Sequence, residues 1–236
     1  MNNEEEKKFY VITTPIGNLG DITLRALKTL KEVDLVLCED TRVTRKLLDH
    51  YGIKKPLLSY HQRSKPSKTI EIIEQIRDEM TLALVTDAGT PGISDPGNEL
   101  IEKIIKEFGE GIQVIPIPGP SALTALAQVA AINMSKFTFL GFPPHKKGRE
   151  TYFISMLSSH YPLVYFDSPH RFLKNLQLLS RLAIEHERTV NLIVGRELTK
   201  MFEQVKRGAI DEVVKYFTEN EKKIKGEFVI IADIDF

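Results

Sequence analysis

Short apolar runs alternate with amphipathic stretches along the first half of the chain. Phe9 to Thr14 (FYVITT), Val33 to Cys38, Leu82 to Val85 and Ile112 to Ile117 have strand length and are bounded by turn residues. Such runs fit strands buried on both faces. Between them the period changes to that of a helix. Leu24, Leu27 and Leu30 are read as one face of a helix from Thr23, with Asp21 as its N-cap. A second helix is expected from Thr41 to about Tyr51, stopped by Gly52. Ile70, Ile73 and Ile76 mark a third, from about Ser67. Leu100, Ile101, Ile104, Ile105 and Phe108 mark a fourth, with Ser94 or Asp95 as cap, Pro96 near its first position and Gly109 at its end. Strand and helix in alternation predict a parallel, doubly wound sheet.

The second half has a different rhythm. An Ala- and Leu-rich helix, capped by Ser121, opens it. A strand from Phe137 to Leu140 leads into the basic loop GFPPHKKGRE, and Leu163 to Phe166 is another strand. Ser168-Pro169 starts a helix striped by Phe172, Leu173, Leu176, Leu179 and Leu182. Val190 to Val194, Phe202 to Arg207 and the closing EFVIIADID read as strands, with a helix from Ile210 to Phe217. The expected fold class is therefore α/β, with two α/β domains. Residues 1–118 carry the parallel sheet and 119–236 a mixed one, the boundary falling near Pro118.

Composition narrows the partners. At 236 residues, 42% hydrophobic and 27% charged, the chain is an ordinary globular length and make-up. Its formal net charge is zero, so any attraction to nucleic acid must be local. The single cysteine, Cys38, sits in an apolar run and excludes an internal disulfide or a multi-cysteine zinc site. His61, His145 and His170 are widely spaced, so no metal is expected. No apolar stretch reaches transmembrane length and the N-terminus is acidic, which predicts a cytoplasmic protein without membrane contact.

The chemistry concentrates in loops. Thr81 to Gly97 (TLALVTDAGTPGISDPG) runs from a strand through Gly89, Pro91, Gly92, Pro96 and Gly97, flanked by Asp87 and Asp95. Main chain rich in glycine can approach a ligand closely. Pro15 to Asp21 and Pro118 to Ser121 also follow predicted parallel strands. In open α/β sheets ligands bind outside the carboxyl ends of the strands, so these loops are expected to face one crevice. Neither GxGxxG nor GK[ST] is present, so a dinucleotide or ATP lacks its phosphate cradle. Backbone groups, small residues and carboxylates suit a zwitterion that carries a positive centre and an adenosine. S-adenosylmethionine meets that description without being selected by it.

TTPIGNLGDIT, CEDTR, TDAGTPGISDPG, PGPSALTALA, FLGFPP, SPHR and GRELTK together resemble the ribosomal RNA small subunit methyltransferase I group of the tetrapyrrole methylase superfamily. The resemblance runs from the first strand to Asp235. It implies a class III methyltransferase fold with S-adenosylmethionine in a cleft between two domains. It also implies a homodimer, and 2′-O-methylation of a cytidine in the decoding centre of 16S rRNA within the small ribosomal subunit. Carried over by position, the cofactor would meet Pro15, Ile16 and Gly17, then Asp87, Ala88, Gly89, Thr90, Pro91, Gly92, Ile93 and Ser94. It would also meet Ser121, Ala122, Phe166, Glu197 and Leu198. Porphyrin methylases have Gly-Asp-Pro where this chain has Gly89-Thr90-Pro91, and Asp167 stands where the rRNA group usually has glutamate. Many members continue into a helical C-terminal extension that this sequence does not include.

Methyl transfer to a ribose oxygen requires in-line positioning and a nearby proton acceptor. Glu39 and Asp40, after the second strand, are the candidates, with Arg42 to hold a phosphate or position a carboxylate. Asp40 could equally be a plain helix cap. From Arg42 to Lys68 the chain carries Arg42, Arg45, Lys46, Lys54, Lys55, Arg63, Lys65 and Lys68 against one acid, with Tyr60 and His61 interleaved. Cations bind phosphates and rings stack on bases, so this segment is the expected RNA contact. Lys146, Lys147, Arg149 and Arg171 extend the set. Alternative readings are a superfamily methylase acting on a small molecule or a protein, and a non-catalytic RNA-binding module.

Overall fold

A computed structural model describes residues 7–61, 64–95 and 97–234. Arg63 and Pro96 therefore lie outside the described residues. The chain divides into two compact units, Met1–Ser121 and Ala122–Phe236.

The first unit contains β1 (Lys7–Ile12), α1 (Leu24–Glu32), β2 (Leu35–Cys38), α2 (Thr41–His50), β3 (Leu57–Ser59), α3 (Pro66–Arg77), β4 (Leu82–Val85), α4 (Asn98–Phe108) and β5 (Ile112–Ile117). The strand order is β3-β2-β4-β1-β5 and every pairing is parallel. Side chains alternate across this sheet, so each apolar run feeds two cores. Val36, Cys38, Ala83 and Val85 pack with Ala26, Leu30, Leu47 and Leu48 on one face. Leu35, Leu37, Leu82 and Leu84 pack with Ile72, Ile76, Leu100 and Ile104 on the other. That is why β2 and β4 read as unbroken apolar runs.

Several helix details differ from expectation. Thr23, not Asp21, caps α1, its hydroxyl accepting from the Ala26 amide at 3.0 Å. Leu24 is 86% exposed, and the core positions are Ala26, Thr29 and Leu30. In α3, Ile70 is exposed and Thr69, Ile72 and Ile76 are buried. Both errors share a cause. A strict spacing of three falls short of a full helical turn, so the stripe drifts, whereas a buried face follows spacings of three and four together. Gly97, rather than Ser94 or Asp95, caps α4, at φ +143°. Val33, expected in β2, instead closes α1. The three-residue β3 was not anticipated, being too short to show a period.

The second unit contains α5 (Ala122–Gln128), β6 (Thr138–Phe139), α6 (Arg149–Met156), β7 (Leu163–Asp167), α7 (Pro169–Glu185), β8 (Val190–Arg196), β9 (Gln204–Ala209), α8 (Ile210–Glu219) and β10 (Phe228–Ile234). The order is β6-β7-β10-β8-β9, with β6 and β7 parallel and the other pairs antiparallel. Phe172, Phe217 and Phe228 anchor the core, Phe172 stacking on Phe228 at 4.0 Å. On the other face Gly195 leaves room for Leu126 and Val229, either of which would lie 3.0 Å from an added Cβ. Helix α6 falls where the basic loop ran into TYFISML, a stretch left unassigned from sequence.

Candidate active site

In the first unit the candidate loops leave the carboxyl ends of the neighbouring strands β4, β1 and β5. They are stitched together by backbone. Thr14 and Gly89 exchange hydrogen bonds, amide to carbonyl, at 2.9 and 3.0 Å. The buried Thr14 hydroxyl donates to the Thr86 carbonyl at 3.0 Å. The Thr13 amide donates to the Ile117 carbonyl at 3.1 Å. A Cβ on Gly119 would lie 3.1 Å from Thr13 Cβ, so the Pro118 loop rests directly on the end of β1. Thr13, Thr14 and Thr86 thus fix the loops in place. Sequence reasoning passed over them, although threonines at strand ends beside glycine loops were the available signal.

These contacts decide which candidate residues share a surface. Pro15, Ile16, Gly89 and Pro91 are buried, while Gly17, Asp87, Ile93 and Ser94 are exposed and Ala88, Thr90 and Gly92 are half-buried. Gly92 has φ +84°, and an added Cβ would lie 2.4 Å from Asn98 Oδ1, whose amide group donates to the Gly92 carbonyl. Ser94 also takes positive φ, at 62°. Backbone held in sparsely populated conformations is a feature of ligand sites.

Beside these loops lies an acidic group. Strand β2 pairs with β4, so Glu39 and Asp40 follow one strand end and Asp87 the next. The Asp40 amide donates to Asp87 Oδ1 at 3.1 Å. The Asp87 main chain lies close enough to the Glu39 carboxylate to offset part of the effect of burial on it. Glu39 is half-buried, and burial, then the Asp87 charge, pushes its pKa up. Asp40 behaves in the opposite way. It is the N-cap of α2, accepting from the Arg42 amide at 2.8 Å, and the Arg42 guanidinium grips it at 2.6 Å. Those Arg42 contacts hold its pKa down at about 2. The helix-cap reading of Asp40 therefore describes its geometry, and Glu39 is the carboxylate of the two with its proton affinity raised.

In the second unit, Ala122 opens α5 and Phe166 lies near the end of β7. The Phe166 ring packs against Phe139 and the exposed Phe142, with centroids 5.1 and 5.4 Å away. Glu197 and Leu198 follow β8. Glu197 has φ 49°, and Lys200 bridges it to Glu227 at 2.9 and 3.0 Å. Burial raises the Glu197 pKa, but the Glu227 amide and Lys200 outweigh it and hold the group below its usual value. Glu197 Oε1 accepts from that amide at 2.9 Å, and Gly226 has no side chain to obstruct it. Ser121, half-buried, ends the first unit.

The basic candidates divide. Arg45, Lys46 and Lys54 are exposed on and after α2, with Lys55 half-buried beside them and Arg45 donating to the Lys55 carbonyl at 3.3 Å. Arg42, His61, Lys65, Lys146 and Lys147 are exposed, and Arg149 is half-buried. Two expectations are corrected. Tyr60 is 4% exposed and packs within the apolar core against α3, so its ring has no free face for a base. Arg171 donates to the Pro143 carbonyl at 2.8 Å and lies 4.0 Å from the buried Asp167, so it ties a loop down rather than waiting for phosphate. Lys68 pairs with Glu71 at 3.0 Å. Arg63 is outside the described residues. Among the described residues no cluster of three metal-ligating side chains occurs, and no helix is long and apolar enough to cross a membrane.

A family model described as Tetrapyrrole (Corrin/Porphyrin) Methylases matches residues 8–214. A Thermotoga maritima protein named Ribosomal RNA small subunit methyltransferase I is 42% identical over 224 residues, covering 95% of this chain and 97% of that one. A protein of the same name from Synechocystis sp. is 43% identical, over 94% of this chain and 77% of its own length. Among solved structures, a cobalt precorrin-4 methyltransferase of cobalamin biosynthesis matches 98% of this chain and 97% of that chain, with TM-score 0.69 at 18% identity. A uroporphyrin-III-C-methyltransferase from Thermus thermophilus matches 95% of this chain and 94% of that chain, with TM-score 0.61 at 18% identity. At such identity these two speak to the fold alone.

Proposed function

We propose that this chain, which belongs to the tetrapyrrole methylase family and to its ribosomal RNA small subunit methyltransferase I branch, methylates the ribose 2′-oxygen of a cytidine in the decoding centre of 16S rRNA. The enzyme is an S-adenosylmethionine-dependent methyltransferase. When bound, that cofactor supplies a sulfonium methyl, already a good electrophile, so no metal is needed. The residues present fit it. The Thr14–Gly89 bridge fixes the loop, Gly92 leaves its half-buried backbone without a side chain, and Asp87 offers an exposed carboxylate beside them.

The observation that carries the reaction is the opposed pair Glu39 and Asp40. Glu39 sits half-buried beside Asp87 with its proton affinity raised, suited to accept the 2′-hydroxyl proton. Asp40 stays ionised under Arg42 and orients the start of α2. After that start, Arg45 and Lys46 on α2 and Lys54 and Lys55 beyond it supply phosphate contacts. A methylase for a small molecule has no use for that basic stretch, which favours RNA. The remaining proposals are that Pro15 to Gly17, Asp87 to Ser94, Ser121, Ala122, Phe166, Glu197 and Leu198 contact the cofactor, that the enzyme works as a homodimer, and that it acts in the cytoplasm on the small ribosomal subunit.

The test is methyl transfer from labelled S-adenosylmethionine to 30S subunits and to naked 16S rRNA, with the product mapped by mass. A methyl on a cytidine ribose is the expected result. A methyl on a base would overturn the chemistry, and no calorimetric heat with the cofactor would overturn the whole reading.

A further inference from the structure

We propose that the second unit carries a separate pocket that binds the Watson–Crick edge of a guanine base, on the sheet edge opposite Phe166 and Glu197. Its centre is Asp233, near the end of β10 and 6% exposed. The ladder places Asp233 directly across from Asn191 at the start of β8. On the other side β10 pairs with β7 only as far as Ala232 opposite Leu163, so the sheet opens at Asp233. The segments before β6 and β7 border that opening, and Asp233, Asn191, Lys136, His160 and Tyr161 line a pocket of about 640 Å³. This is within the range of small-ligand sites. Phe166 and Glu197 lie at the far ends of β7 and β8, a strand length of roughly 15 Å or more away.

The Asp233 carboxylate has no hydrogen-bond donor or ion pair among the described residues. Burial alone pushes its pKa up. A buried carboxylate without a partner is costly, and in folded proteins such groups are paired. The Lys136 ammonium does not serve, because it sits over the Tyr161 ring, 5.6 Å from the centroid. A metal is disfavoured, since no three ligating side chains gather among the described residues. The pocket leaves its oxygens open to a ligand that brings its own donors.

Two carboxylate oxygens side by side accept best from two adjacent N–H groups. Among the common bases only guanine offers these, from N1 and its exocyclic amine. Adenine and cytosine place an acceptor beside their donor, and uracil flanks its donor with acceptors. Asn191, opposite Asp233, has an amide to give to O6. The Tyr161 ring, 48% exposed, offers a face for stacking. An arginine side chain also presents paired donors, but its charge would meet Lys136 in the same lining. Two sources share the guanine chemistry, a guanosine splayed out of RNA and a free guanine nucleotide. The first rests on the rRNA reading above, and the second does not.

The experiment titrates the full chain with GMP, IMP, AMP, CMP and argininamide by calorimetry. GMP should bind, with IMP, which lacks the exocyclic amine, at least about tenfold weaker, and AMP and CMP no tighter than IMP. Asp233→Asn should weaken GMP by about tenfold or more and leave the S-adenosylmethionine heat unchanged. The exposed Tyr161→Ala should weaken GMP by about fivefold or more without threatening the fold. A single-stranded RNA that binds tighter with guanosine than with inosine assigns the pocket to RNA. Discrimination with mononucleotides alone assigns it to a free nucleotide, and either result supports the guanine chemistry. Equal binding of GMP and IMP, tighter binding of argininamide, or indifference to both variants overturns it. Methyl transfer measured on the same preparation separates the two readings. Transfer without guanine discrimination sinks only the pocket, and discrimination without transfer sinks only the proposed function.

Discussion

Glu39 and Asp40 are adjacent acids with opposite fates, and their surroundings explain why. Glu39 is half-buried near Asp87, so its folded pKa lies above the unfolded value. It therefore costs stability once pH rises through that raised value, and the cost disappears in acid below the ordinary carboxylate range. Glu39→Gln is expected to remove most methyl transfer while raising the melting temperature at neutral pH. A variant that keeps full activity would exclude Glu39 as proton acceptor. For Asp40 the sign reverses, because Arg42 depresses its pKa to about 2. Its contribution is present above the ordinary carboxylate value and fades as pH falls towards about 2. Asp40→Asn should lower stability at neutral pH and flatten that acid dependence in thermal melts. At this scale sequence was a weak guide. Tyr60 looked like a stacking ring and Arg171 like a free cation, yet one is core and the other a tether. A side chain's type does not state its neighbours.

At the scale of elements, the loops after β1, β4 and β5 owe their shape to hydroxyl and backbone bonds. Thr14→Val keeps the volume but removes the donor to the Thr86 carbonyl. It should cost about 1–3 kcal/mol in chemical denaturation and weaken S-adenosylmethionine binding by calorimetry. Unchanged affinity would mean that the Thr14–Gly89 bridge does not shape the site. Gly97 closes the same loop at φ +143°, where an added Cβ would lie 3.0 Å from Leu84 Cδ2. Gly97→Ala should destabilise by about 1–3 kcal/mol, read as a lower denaturation midpoint with the same slope. Apart from the three-residue β3, the strands of both sheets were legible from apolar runs and the turn residues that bound them. The helix faces of α1 and α3 were misplaced because a spacing of three cannot fix which side meets a sheet.

For the whole molecule, a net charge of zero makes RNA affinity a matter of local clustering. Replacing Lys46, Lys54 and Lys55 together by alanine should weaken binding to small-subunit rRNA across sequences. It should also reduce the slope of log affinity against log salt by about two to three. The S-adenosylmethionine heat should be untouched. An unchanged slope would remove this surface from the RNA interface. Lys46 and Lys54 are exposed and Lys55 half-buried, so an unchanged thermal melt of the variant separates lost phosphate contacts from a fold defect.

Apart from β3 and α6, the order of strands and helices followed from hydrophobic period and turn residues, and so did the class of the first sheet. Those are local signals, carried by neighbours a few residues apart. The loop motifs of the resemblance also named the family before any contact was known. What only the tertiary structure decided are the meetings of distant residues. Glu39 reaches Asp87 because β2 pairs with β4, Thr14 holds Gly89, and Tyr60 turns into the core. Asp233 faces Asn191 beside an open ladder. Proton affinity and pairing depend on burial and on charges that folding brings near, and no spacing along the chain encodes either.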